Sequence, residues 1–225
     1  MKTRILSVLY FAVSLLFILI EMNAGNNIAI INKALIMPLL AVILIINIRP
    51  SYMRMDILII AGLFFSWAGD IFLELPESEV MFVPGLASFL LAHVMYLTVF
   101  FTTKGKNYII LKRSFLLLPV IIYGVVLIGY LYKSLGDMRL PVIVYAVVIL
   151  TMLSGAINRY NKVTSRSYNL VLAGAILFVL SDSMIAVNKF SYSIPSARIF
   201  IMTTYIIAQY LIVTGYIKQS KRNFA

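Results

Sequence analysis

The stretch that decides the fold is "DILIIAGLFFSWAGDIFL", residues 56–73. A helix that spans a bilayer needs about 20 mainly apolar residues, and this run has that length and character. Near its end, in "SWAGDIFLE" (66–74), stands Asp70. A carboxylate inside a spanning helix costs about 2.5–3.5 kcal/mol on insertion scales. Such a residue needs a partner or a purpose.

The rest of the chain repeats the apolar pattern. Hydrophobic residues make up 62% of 225 residues and charged ones 12%, with a mean hydropathy of +1.00. A soluble domain carries about 45–50% apolar and about 25% charged residues. The excess is too large for a core of this size, so most of it faces lipid. Eight apolar segments can be drawn, at 5–20, 34–48, 56–73, 80–101, 115–132, 140–157, 168–187 and 196–217, the first two short. None alternates strictly as a barrel strand would. Helices satisfy their own backbone groups in lipid. The expectation is therefore an all-α, polytopic membrane protein of about eight spans, one integral membrane domain over residues 1–225.

The net charge of +11 does not point to nucleic acid, because Lys and Arg come in small groups between apolar runs, as in membrane loops. With eight spans, fourteen basic residues fall on the side of both termini and five on the other. The positive-inside rule then puts both termini in the cytoplasm, and the expected location is a bacterial cytoplasmic membrane. Glu21, Glu74, Glu77, Glu79 and Asp137 fall on the outer side. No small-residue cleavage site follows the first segment, which reads as an uncleaved anchor. The chain has no Cys and one His, which excludes disulfides and multi-histidine metal sites. No metal and no cofactor are expected.

A weak repeat joins the third and seventh segments. "AGLFFSWAGD" (61–70) and "AGAILFVLSD" (173–182) each carry Ala-Gly nine and eight positions before an Asp, with a small residue directly before it. The chain then reads as two four-helix halves of like orientation, as in parallel membrane repeats. Each Asp would lie about 21 Å from the cytoplasmic end of its helix, at about 1.5 Å per residue. Asp70 and Asp182 are thus expected at matched depth, as a pair.

Other polar residues join the candidate site. Glu74 shares a helix face with Asp70. His93 lies mid-span with Tyr96 beside it. Arg198, Tyr205 and Gln209 form one stripe on the last span, with Arg198 at the outer end, suited to a lipid phosphate. Lys33, before Pro38, and Asn188, with Lys189 beyond Asp182, complete the rim. Each has a plain alternative: a hydrogen-bonding strut, an interfacial anchor or a solvated face.

These residues resemble those of a known family. "GDIFLELP" (69–76), "FVPGLASFLLAHVMYLTVF" (82–100), "GAILFVLSDSMIAVNKF" (174–190) and "TTYIIAQYLIVTG" (203–215) are similar to the YhhN family of integral membrane lysoplasmalogenases, in order and over nearly the whole chain. The spacing of Lys33 and Pro38, five apart, departs from the family's closer placement. The resemblance implies hydrolysis of the vinyl ether bond of lysoplasmalogens, giving a fatty aldehyde and glycerophosphoethanolamine or glycerophosphocholine. It implies a lysophospholipid that enters from the bilayer, with membrane lipid as the surroundings.

The chemistry suits two carboxyls. Protonating a vinyl carbon makes an oxocarbenium-like cation, to which water adds. One protonated and one ionised carboxyl meet that need. Asp70 and Asp182 are accordingly the expected catalytic pair, lined by His93, Tyr96, Tyr205 and Gln209. Three rivals stand. An intramembrane aspartyl protease also pairs two Asp residues, but "WAGD" (67–70) and "VLSD" (179–182) lack the first Gly of its Gly-x-Gly-Asp motif. A proton-coupled transporter suits a two-half layout. A third rival keeps the fold and hydrolyses another lysolipid.

Overall fold

The computed structural model describes residues 2–23, 27–48, 54–75, 78–105 and 109–220. Glu77, Arg49, Lys106, Lys221 and Arg222 lie outside the described residues, as do the side chains of Lys2 and Glu79. The regular structure of the described residues is all helix, with no strand. The long helices are α1 (Lys2–Asn23), α2 (Asn27–Ile45), α3 (Arg54–Phe72) and α4 (Ser78–Thr102). After a short α5 (Ile109–Lys112) come α6 (Leu118–Leu131), α7 (Arg139–Ile157), α8 (Ser165–Phe190) and α9 (Ala197–Ser220).

Eight long helices thus stand where eight apolar segments were drawn. Seven stretches of them are long and apolar enough to cross a membrane among the described residues, whereas α2 is apolar only over Ile31–Ile45. The fifth span differs at its start: a 3-10 turn at Ser114–Leu117 runs into α6. Pro119 sits in the first turn of α6, where its missing N–H costs nothing.

The chain forms two compact units, and the break falls within α4, between Tyr96 and Leu97. In the first unit α2 packs on both α1 and α3, with Tyr10, Phe17, Leu40, Ile43 and Ile59 buried. Pro38 lies inside α2 and has no N–H for the carbonyl four residues earlier. That carbonyl belongs to Ala34, and the indole Nε1–H of Trp67 on α3 donates to it at 2.9 Å. The only Trp of the chain thereby closes a gap opened by a proline. Between α3 and α4, glycines take aromatic rings. A Cβ on Gly62 would lie 2.5 Å from the Tyr96 ring, and one on Gly69 would lie 2.7 Å from the Phe89 ring.

The second unit is built on the α8–α9 hairpin. Here Gly174 takes backbone: a Cβ on it would lie 2.8 Å from the Ala208 carbonyl oxygen. Two serines tie the pair. Ser181 Oγ donates to the Ile201 carbonyl at 3.0 Å, and Ser167 Oγ donates to the Gly215 carbonyl at 2.7 Å. Thr164 caps α8, its hydroxyl accepting from the Ser167 N–H at 3.1 Å. In the α7–α8 connection, the buried Arg159 donates through Nη2 to Gln219 Oε1 at 2.6 Å and to Ser167 Oγ at 3.1 Å. Burial holds its guanidinium below the usual arginine range. On α6, Ile121, Ile122, Val125 and Val126 are exposed, as a lipid-facing stripe requires.

Candidate active site

Asp70 belongs to the first unit and Asp182 to the second, and each has its own setting. Both are buried, at 3% and 9% exposure. Asp70 stands 16 residues after the start of α3 (from Arg54), and Asp182 stands 17 residues after the start of α8 (from Ser165). At about 1.5 Å per residue, that is about 24 and 26 Å along their own helices.

In the first unit Lys33 brings the acids together. Its Nζ lies 3.0 Å from Glu74 Oε2 and 4.0 Å from Asp70 Oδ1, and the Lys33 side chain is 9% exposed. Glu74 reaches this point because the chain continues past α3 in a tight turn, with the Leu73 N–H on the Gly69 carbonyl and the Glu74 N–H on the Ile71 carbonyl. A buried charge needs a counter-charge, since desolvation of an unpaired ion costs several kcal/mol. One ammonium serves two carboxyls here, and the wide Lys33 to Pro38 spacing does not keep Lys33 from the site.

His93 and Tyr96 lie on the α4 face that holds Phe89. Gly62 meets Tyr96 and Gly69 meets Phe89, so the antiparallel register puts Ser66 and His93 at about one level. His93 is fully buried, one turn after Phe89 on α4.

In the second unit the Tyr145 hydroxyl on α7 donates to Asp182 Oδ2. Beside Asp182, Ser183 Oγ accepts from the Tyr123 hydroxyl of α6 at 2.7 Å and donates to the Val179 carbonyl at 2.7 Å. Tyr205 packs edge-on against Phe178 at 5.4 Å between ring centroids, one turn from Asp182. Gln209, fully buried, neighbours Ala208, which lies against Gly174. That is eight residues, or about 12 Å, along α8 from Asp182. Asn188 accepts from the Ile194 N–H at 2.9 Å and so braces the α8–α9 turn. Arg198 is exposed at the start of α9.

Sequence reasoning missed Tyr145, Tyr123 and Trp67. A tyrosine inside "PVIVYAVVILTML" (141–153) reads as packing. Its one available signal was a phenol hydroxyl in the middle of an apolar run, where it must find an acceptor. No group of three or more His, Cys, Asp or Glu able to hold a metal ion occurs among the described residues.

Residues 28–216 match the YhhN family. The chain belongs to that family. Among its curated relatives, Lysoplasmalogenase TMEM86A of Homo sapiens is 31% identical over 191 residues, covering 76% of this chain and 68% of the relative. Lysoplasmalogenase TMEM86A of Bos taurus is 32% identical over 180 residues, with the same coverage. Lysoplasmalogenase TMEM86B of Sus scrofa is 33% identical over 147 residues, covering 65% and 58%. No solved structure matches. The family match runs from α2 to α9 and includes Lys33, Asp70, Glu74, Tyr145 and Asp182. The length and apolar character of the helices agree with the family on an integral, multi-pass membrane protein.

Proposed function

We propose that this member of the YhhN family is a lysoplasmalogenase-type ether hydrolase, cleaving the vinyl ether bond of a single-chain lysolipid within the membrane. The observation that carries the reading is the pair of buried carboxyls, Asp70 and Asp182, which stand 16 and 17 residues after the starts of α3 and α8. The relatives' activity adds the substrate class.

The reaction proceeds in three steps. A carboxylic acid gives its proton to the vinyl carbon remote from the ether oxygen. The double bond's electron pair forms the new C–H bond, and the positive charge is shared between the other vinyl carbon and the oxygen. Water adds to that carbon and loses a proton to the second carboxylate. The hemiacetal then collapses to a fatty aldehyde and a glycerophospho head group. The first step needs a proton donor, and the cation needs a nearby negative charge.

The two settings give each Asp a role in this reading. Lys33 supplies the counter-charge for an ionised Asp70, which steadies the cation and takes the proton from water. Asp182 gives the proton, its other oxygen held by Tyr145. Glu74 keeps Lys33 in place. Arg198, at the exposed end of α9, meets the head group. The excess of basic residues on one side orients both termini toward the cytoplasm.

The test is product analysis with purified protein in detergent, without any ion gradient. A vinyl ether lysolipid is compared with its alkyl ether and ester analogues in heavy water. The expected result is aldehyde from the vinyl ether alone, with one deuterium on the carbon next to the carbonyl. Turnover of the ester, or no turnover without a gradient, contradicts the reading.

A further inference from the structure

On one flank of the second unit, α6, α7 and α8 enclose a groove of about 430 Å³. Its walls are hydrocarbon, from residues such as Val120, Leu153, Leu172, Ile176 and Leu180. The acid–base chemistry uses none of them.

The length fits an alkyl chain. Along α8 the lining runs from Tyr168 to Leu180, twelve residues or about 18 Å at about 1.5 Å per residue. The groove is open along its length, so a chain can lie in it from the bilayer side. With bonds of about 1.5 Å advancing about 1.25 Å each in a zig-zag, it takes roughly fourteen carbons.

The position fits as well. At one end the lining reaches Val179 and Tyr123. Val179 is three residues before Asp182, and the Tyr123 hydroxyl donates to Ser183 at 2.7 Å. The polar groups thus begin where the hydrocarbon walls stop. We propose that this groove seats the alkenyl chain of the lysolipid, with its vinyl ether end at the level of Asp182. The assignment rests on the reading of the chain as a vinyl ether hydrolase. The chain descends along α8 toward Tyr168, and the head group lies beyond Asp182 on the Asn188 side.

The experiment fills the groove. Leu172→Trp and Ile176→Trp are assayed with a short alkenyl lysolipid of about eight carbons and a long one of about sixteen. The ratio of long-chain to short-chain kcat/KM is expected to fall roughly tenfold or more, since the buried length of chain sets its binding. An unchanged ratio in both variants overturns the proposal. Alongside, a lysolipid with a photoreactive group at its chain end is crosslinked to the unaltered protein. Labels are expected around Pro119 and Leu172, and their loss on adding unlabelled lysolipid supports the groove. Labels spread over the exposed faces of α1 and α6 mark ordinary bilayer lipid and overturn the proposal. If the unaltered protein releases no aldehyde at all, the hydrolase reading fails, while the crosslink map still reads the groove.

Discussion

Helices α3 and α8 carry the same short pattern and end it differently. Each places Ala-Gly eight to nine residues before an Asp, with a small residue just ahead of it. Gly69 lies under the Phe89 ring, whereas Ser181 bonds to the Ile201 backbone. Asp70 finds an ammonium, Lys33 at 4.0 Å. Asp182 finds a phenol, Tyr145. The pattern fixes where along the helix a carboxyl stands, while the neighbouring helices decide its electrical surroundings. Two carboxyls at like positions can therefore do unlike work.

The sharpest way to break this contrast is to remove the ammonium. Lys33→Met leaves two buried acids without their cation. Breaking a buried ion pair from one side costs about 3–5 kcal/mol. A large drop in thermal stability in detergent is expected, with part of it regained when Glu74→Gln is added. A melt unchanged by Lys33→Met would show that the ion pair holds nothing together.

The packing contrast gives the next effect. Overpacking costs about 1–3 kcal/mol. Gly174→Ala is expected at the top of that range, because a carbonyl oxygen at 2.8 Å moves only if α8 and α9 separate. Gly69→Ala is expected lower, because the Phe89 ring can tilt. Melts of the two variants side by side check the order.

Tyr145→Phe is expected to cost about 1–2 kcal/mol, the range of a hydrogen bond between membrane helices. It should also lower aldehyde release and change the shape of the pH profile, which a merely structural loss would leave alone. Trp67→Phe is the smallest change. It takes one donor from the Ala34 carbonyl, worth about 1 kcal/mol, and should leave turnover near normal.

The sequence showed the helices well. Runs of about 20 apolar residues have few other fates, and the observed helices follow the drawn segments, although α2 starts at Asn27 rather than 34 and α6 is shorter than its segment at both ends. The short α5 and the 3-10 turn before Pro119 escaped, because a four-residue element has no periodicity to read. The site was legible in part. Asp70 and Asp182 stood out because carboxyls in apolar runs are costly. The partner of Lys33 could not be read, since Glu74 lies 41 positions away and only tertiary packing joins them. Gln209 was expected to line the site, and the α8–α9 register sets it about two turns along α8 from Asp182. The groove left no signal in the sequence, because three helices form it by what their side chains do not fill.

The central claim is that both carboxyls act in one reaction although their surroundings differ. Its most direct test is the rate of aldehyde release by purified Asp70→Asn and Asp182→Asn, each shown to be folded by an unchanged melt profile. Each is expected to lose a factor of about 10²–10⁴, the usual worth of a positioned acid or base, and the double variant little more than the weaker single. A near-normal rate in either folded variant would contradict the account.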